Sequence, residues 1–412
     1  MWIPECGRKA WVMTRDRAYF LLLNLGHFLD HMFMLIFATV AALALHAEWG
    51  VSYSALLAYA TPGFFAFGLF SLPAGWLADR WSRDGMMVVF FIGIGVSSIL
   101  ASFAQTPMQI GVGLFVIGVF AAIYHPVGLA IVTMRWRNIG MRLAANGVWG
   151  NLGVASAALI TGYVIDNGGW RMAFVWPGVV SISVGLIYLR LRWQHLGAER
   201  RAANRAAAPV RTEGAVRRTF LVVTAIVFVT TAVASIIFQS TTFALPKIFD
   251  ERLDGVVAWI GGNGATVVGV IAFLVFATAS LAQLVVGFAL DRLGPKPVFM
   301  TVACLQLVCF LIMPGLRDGW ALVVALGFML GAFGQIPIND FMIGKMASGA
   351  ARARIYGVRY VVSFTALAAT LPLIAVVYER WGFDVLFGVL ATAAFVILCA
   401  VSLLPRKLPS PA

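Results

Sequence analysis

The sequence predicts an all-α membrane protein of about twelve transmembrane helices in two pseudo-symmetric six-helix bundles, and three observations carry that expectation. Hydrophobic residues make up 61% of the 412 and charged residues only 11%, against roughly 25% charged in soluble domains. Apolar stretches long enough to cross about 30 Å of hydrocarbon recur along the full length. One charged, glycine-led turn is written twice, 212 residues apart, as Gly75-Trp76-Leu77-Ala78-Asp79-Arg80-Trp81-Ser82-Arg83 and Gly287-Phe288-Ala289-Leu290-Asp291-Arg292-Leu293-Gly294-Pro295-Lys296. A spacing close to half the chain implies one membrane unit duplicated, with both turns on the same side of the bilayer, an arrangement that transporters use.

Hydropathy and chain breakers place the spans in order. The first runs over roughly residues 18–46 and the second, closed by the first repeated turn, over 53–78. Spans at 85–104, 107–134, 142–166 and 171–191 complete an N-terminal six-helix bundle over 1–191. Residues 192–218 are rich in Arg and Ala with no apolar face wide enough to span, and read as a basic cytoplasmic linker. Six more spans, at 219–246, 258–290, 297–314, 320–342, 354–378 and 383–404, make a C-terminal bundle over 219–412. The halves also agree away from the turn: Gly118-Val119-Phe120 answers Gly331-Ala332-Phe333, Arg142 answers Arg354, and Gly169-Trp170 answers Trp381-Gly382. Parallel repeats of this kind place a cavity between the halves near the bilayer midplane.

Charge placement sets the expected topology. With the N-terminus in the cytoplasm, 24 Lys and Arg residues fall on that side and five, Arg171, Lys247, Arg252, Arg317 and Arg380, on the other. This is the positive-inside pattern, with both termini and both turns cytoplasmic in a bacterial inner membrane. The net charge of +13 is thereby topological, and nucleic acid is not an expected partner. No small-residue cleavage site follows the first apolar segment, so no cleavable signal peptide is expected. Cys6, Cys304, Cys309 and Cys399 show no paired metal-ligand spacing, and neither a metal nor a cofactor is expected. There is no phosphate-cradling Gly-Lys-Ser/Thr loop, His-Glu-x-x-His or nucleophile elbow, which argues against an ATP-driven pump and against an enzyme.

Polar residues inside apolar spans are the candidate functional sites. Asn24, His27, Asp30 and His31 fall at i, i+3, i+6 and i+7, one stripe of a helix. A charge in lipid costs several kcal/mol, so the stripe should face protein or a watery cavity. An aspartate flanked by histidines can exchange a proton near neutral pH, because burial and a neighbouring imidazolium act on it in opposite senses. Asp30 is therefore the expected proton-coupling acid, with His27 or His31 as its partner; the alternative is a stripe that only packs the bundle through interhelical hydrogen bonds. His125 stands directly before Pro126, where a polar side chain either satisfies the backbone freed by the proline or lines a cavity. Asn146 and Asn151, among Gly147, Gly150 and Gly153, and Gln239 in the seventh span are further cavity candidates. Arg359 suits an anionic solute or a carboxylate partner, and Asp340 is the acid placed to pair with it in a structural or gating role. In the turns, Gly75 and Gly287 permit close helix approach, while Asp79 and Asp291 can meet the positive N-terminal end of a helix from the opposite half. Arg80, Arg83 and Arg292 surround these acids, and the set reads as a gate.

The turn resembles the loop between helices 2 and 3 of the major facilitator superfamily, Gly-x-Leu-Ala-Asp-Arg-x-Gly-Arg-Arg, from which the first copy departs at Ser82 and Asp84 while Gly294 restores the glycine in the second. The resemblance covers essentially the whole chain and implies the major facilitator fold, with helices 1 and 4 facing across the cavity and the turns acting as a latch. Gly26-His27-Phe28-Leu29-Asp30-His31, Tyr124-His125-Pro126 and Gly150-Asn151-Leu152-Gly153 look like segments of fosmidomycin-resistance efflux transporters, where the first stretch reads Ser-His-Leu-Leu-Asn-Asp. No proline follows the glycines of the fifth span, unlike the antiporter motif of drug exporters. The implied function is a monomeric secondary transporter that moves a small organic solute by alternating access, with proton-coupled efflux as the first reading. A proton symporter importing a carboxylate or sugar-like solute is the second, and a non-transporting assembly factor or sensor is the alternative from another class.

Overall fold

Backbone donors and acceptors have no water to bond within lipid, so a chain this apolar satisfies them inside helices. In the computed structural model, which describes residues 5–136, 139–192, 217–261, 264–346 and 349–405, the described residues are helical with short connections and no strand. The first half comprises α1 (Glu5–Val40), a π-helical turn (Ala41–Leu45), α2 (His46–Trp49), α3 (Tyr53–Leu69), α4 (Ser71–Arg80), α5 (Arg83–Ala101), α6 (Pro107–Ala121), α7 (Tyr124–Arg135), α8 (Ile139–Gly168) and α9 (Trp170–Arg192). The second comprises α10 (Arg217–Arg252), α11 (Asp254–Ile260), α12 (Gly264–Ser280), α13 (Ala282–Leu293), α14 (Pro295–Ile312), α15 (Asp318–Gly334), α16 (Ile336–Met346) and α17 (Gly349–Ser402). Most of the basic linker lies outside the described residues.

Eleven apolar helical segments among the described residues are long enough to cross a membrane, the last being 42 residues, Val361–Ser402. At 1.5 Å per residue a straight helix of that length is about twice the hydrocarbon thickness. It is in fact two helices joined at Gly382, whose φ of 73° and ψ of −171° are non-helical. That restores the count of twelve.

Two expected boundaries need correction. The seventh span does not stop at Pro246 but continues to Arg252 with the proline inside the helix. The eighth span does not begin at 258: residues Asp254–Ile260 form a separate short helix, ended by Gly261 at φ 73°, and the long helix starts at Gly264. Apolar character runs through both pieces, so hydropathy alone fused them.

The duplication is visible in the backbone. Left-handed glycines stand at Gly50 and Gly261, 211 residues apart, and at Gly169 and Gly382, 213 apart. Long helices are interrupted at matching places: Phe70 separates α3 from α4 and Leu281 separates α12 from α13, while Ala122–Ile123 separates α6 from α7 and Gln335 separates α15 from α16. Pro73, Pro126 and Pro337 each follow such an interruption and supply a cause for three of the four, since proline removes one ladder bond and crowds the preceding turn.

The halves meet through α8 against α12 and α3 against α17. At the end remote from the repeated turns they are joined by specific contacts. Asp166 Oδ2, at the end of α8, accepts hydrogen bonds from Thr266 N at 2.6 Å and Thr266 Oγ1 at 2.5 Å, in the first turn of α12. Tyr53, in the first turn of α3, meets Tyr378 of α17 edge-on at 5.4 Å, and the Tyr378 hydroxyl donates to Glu251 of α10. At the end that carries the turns, the described ion pairs Asp16–Arg135, Asp79–Arg83, Asp84–Arg192 and Asp340–Arg359 each stay within one half. Among the described residues, specific polar contacts between the halves are thus seen at the end remote from the turns.

Candidate functional site

The polar stripe of α1 is drawn inward because α8 packs against it with almost no space between backbones. A Cβ added at Gly153 would stand 2.1 Å from the Phe28 carbonyl oxygen, and one at Gly150 would stand 2.7 Å from His27 Nε2. Small residues at such crossings let backbones touch, and here they also make room for an imidazole. His27 is 6% exposed, Asn24 4%, and Asp30 fully enclosed.

A hydrogen-bond network fixes the stripe. Asn146 Nδ2 donates to Asn24 Oδ1 and to the Tyr124 hydroxyl, both at 2.9 Å, and that hydroxyl donates to the Leu23 carbonyl at 2.9 Å. His27 Nδ1 lies 2.8 Å from the Asn146 carbonyl oxygen. A carbonyl only accepts, so the hydrogen sits on Nδ1 and the Nε2 of a neutral ring keeps its lone pair. That Nε2 lies 3.2 Å from His31 Nε2.

The break before α7 brings the second element of the site. His125 stands edge-on to His27 at 5.3 Å and to His31 at 5.4 Å, and its Nε2 is 3.5 Å from Asp30 Oδ2. Neither oxygen of Asp30 accepts a hydrogen bond. Phe67 of α3 and Phe364 of α17 meet across the halves at 4.8 Å and both lie against the His125 ring. The cluster is therefore built on helices of the first half, and Phe364 of the second half packs against it. Ligand nitrogens of His27, His31 and His125 all fall within 4.8 Å of one another, a set able to hold a metal ion.

Other expected site residues lie elsewhere. Asn151 is half-buried on α8, outside this network. Gln239 of α10 is buried in the second half with its Nε2 unpaired. Arg359 of α17 pairs with Asp340 of α16 through Nη1, while its buried Nε makes no hydrogen bond. In the first turn Asp79 is bound by Arg83 at 2.5 Å within its own turn and Arg80 lies over Trp76 at 4.3 Å. Gly75 faces Pro126 of α7, whose Cβ would be 3.3 Å from a Cβ added there. In the second turn Arg292 lies over Phe288, Asp291 is exposed with no ion-pair partner among the described residues, and Gly287 has no atom within 4 Å of its added-Cβ position.

The family comparison agrees with this architecture: the family model described as Major Facilitator Superfamily matches residues 23–264 and 255–412. The chain belongs to the Major Facilitator Superfamily. Among curated relatives, the Multidrug resistance protein MdtG of Citrobacter koseri is 27% identical over 348 residues, covering 82% of this chain and 81% of that protein. The Probable sulfoacetate transporter SauU of Cupriavidus necator is 26% identical over 153 residues, 36% of this chain and 35% of that protein, so the match spans about a third of it. Among solved structures, a D-xylose-proton symporter superposes with a TM-score of 0.73 at 13% identity over 96% of this chain and 99% of that one. The peptide transporter POT in complex with sulfate gives 0.72 at 15% identity over 94% and 95%. At these identities the likeness is one of fold. The protein is a multi-pass membrane transporter of this superfamily, and the narrower likeness to fosmidomycin-resistance transporters rests on its own sequence segments.

Sequence reasoning missed two parts of this superfamily member. The first is Tyr124, which in sequence is only a letter of the Tyr124-His125-Pro126 segment, although a tyrosine beside His125 is signal enough for a hydroxyl in the cluster. The second is a buried charge centre at the end that carries the turns: the enclosed carboxylate of Asp84 accepts from Tyr19 and Tyr188 hydroxyls, each at 2.6 Å, and from Arg192 Nε at 2.5 Å. In sequence Asp84 was only a departure from the repeated turn.

Proposed function

We propose that this transporter moves a small organic solute by alternating access, with proton movement through Asp30 and the histidines around it, and that it exports that solute from the cytoplasm. The observation that carries the reading is Asp30: a carboxylate with 0% side-chain exposure, no hydrogen bond, and an imidazole 3.5 Å away. An anion held without a donor in a membrane interior costs several kcal/mol, so its charge must follow what else occupies the site. His125 is placed to exchange that charge, and His27, His31 and Asn146 connect it to α8. The positive-inside count favours a cytoplasmic position for the end that carries the turns, and the cross-half contacts at the remote end favour access from the cytoplasm. The length of the match to a multidrug resistance protein supports efflux.

A second reading, handling of a small organic anion by symport, is favoured by one observation. Arg359 is largely buried and keeps an unpaired Nε beside its bond to Asp340, a guanidinium edge that suits a carboxylate.

The test is a solute panel screened by thermal shift on purified protein, followed by transport of the hit in proteoliposomes with an imposed pH gradient. Asp30→Asn is expected to abolish uphill, gradient-driven movement while leaving downhill exchange. Uphill movement that survives the substitution with its pH response intact sinks the coupling assignment, and the sign of the response decides between export and import.

A further inference from the structure

We propose that His27, His31 and His125 form a binding site for one divalent late-transition cation of the zinc class, with Asp30 as the neighbouring counter-charge. This inference rests on reading the cluster as the transport site only for its corollary, that the ion is cargo or accompanies the solute.

The geometry points there in four steps. His27 and His31 are one helical turn apart on one face of α1, the i, i+4 spacing by which a helix offers two imidazoles to one ion. Their Nε2 atoms are 3.2 Å apart; a tetrahedral ion with bonds of about 2.05 Å spaces its nitrogens by about 3.3 Å. His27 Nδ1 is held by the Asn146 carbonyl at 2.8 Å, the outer hydrogen bond that metal-binding histidines make, which leaves Nε2 free to ligate. The third imidazole completes the set by closing in by up to about 1.5 Å, since the ligand nitrogens lie within 4.8 Å of one another and a tetrahedral ion needs about 3.3 Å.

The surroundings suit a cation. Borderline-soft nitrogen donors favour zinc, cobalt(II) and nickel over magnesium or calcium, which take oxygen. Three neutral imidazoles leave a double charge uncompensated in a low-dielectric interior, and Asp30, 3.5 Å from His125, is the acid beside them. His31 and His125 are only partly buried, which leaves a side open for a fourth ligand, water or a solute group. In sequence only the His27/His31 pair has ligand spacing; the third nitrogen comes from another helix, 94 residues beyond His31.

The experiment uses tag-free, chelator-stripped full-length protein titrated with Co2+ and Zn2+. The expected result is one Co2+ per chain with the visible bands of four-coordinate cobalt, displaced by Zn2+. Gln in place of each histidine weakens Zn2+ binding at least about tenfold, and Gly150→Ala, which presses a methyl on the His27 ring, weakens it as well. His46→Gln, outside the cluster, leaves it unchanged. Because Gln variants can misfold, His31→Cys serves as the positive arm: a thiolate ligand retains Co2+ and adds a sulfur-to-cobalt charge-transfer band in the near ultraviolet. Zn2+ binding that persists undiminished in the triple Gln variant, or a His31→Cys protein without the new band, overturns the site. Failure here with solute transport intact leaves the transport reading standing, whereas metal binding without any transport sinks that reading alone.

Discussion

Asp84 shows how much one enclosed carboxylate can hold. It receives two tyrosine hydroxyls and a guanidinium, and Arg192 is itself only 6% exposed and lies over the Tyr19 ring at 4.5 Å. Removing one member of a buried pair strands the other charge, at a cost of about 3–5 kcal/mol. Asp84→Ala is therefore expected to lower the melting temperature sharply, whereas Asp79→Ala, at a side chain 66% exposed, changes stability by less than about 1 kcal/mol. Thermal denaturation in detergent compares them, and equal shifts contradict the assignment. Nothing near Asp84 in sequence announces Arg192, because the partner arrives 108 residues later at the end of α9. The stripe from Asn24 to His31 was legible for the opposite reason: its members share one helix, so periodicity places them on one face without any tertiary information.

Helices carry the next level of design. The sequence leads one to expect acids against helix N-termini of the opposite half at Asp79 and Asp291; among the described residues a contact of that kind is made by Asp166, which caps the first turn of α12. Side chain and helix dipole both favour the bond, which is worth about 1 kcal/mol. Asp166→Asn is expected to loosen that end and shift the population toward the state open there. Distances between spin labels placed on α8 and α12 report it, and an unchanged distribution in the variant means Asp166 is not a latch. Breaks in the long helices have a mark in sequence only where a proline follows them, at Pro73, Pro126 and Pro337. The interruption at Leu281 carries no proline and left no mark that hydropathy could read.

For the whole molecule, the duplicated turn and the positive-inside count were sufficient for the twelve-helix architecture, because both depend on sequence separation and composition alone. Which end is shut was not legible, since it depends on contacts such as Tyr53 with Tyr378 between spans far apart in sequence. With the far end latched, Asp79 is satisfied by its own Arg83 and Asp291 is exposed. These acids should find partners across the halves only when the far end opens. Asp79→Asn and Asp291→Asn are then expected to lower turnover several-fold without weakening solute binding; a change in affinity with turnover preserved would place them in the binding site instead. The same letters need not do the same work in the two turns. Gly75 lies against Pro126, next to His125, while no described atom lies within 4 Å of the Cβ position at Gly287, so a rigid push begun at His125 has a direct path to the first turn. The duplicated molecule is expected to be one-sided in this respect, with occupancy of the site reaching the first turn through packed atoms and the second through the motion of the halves.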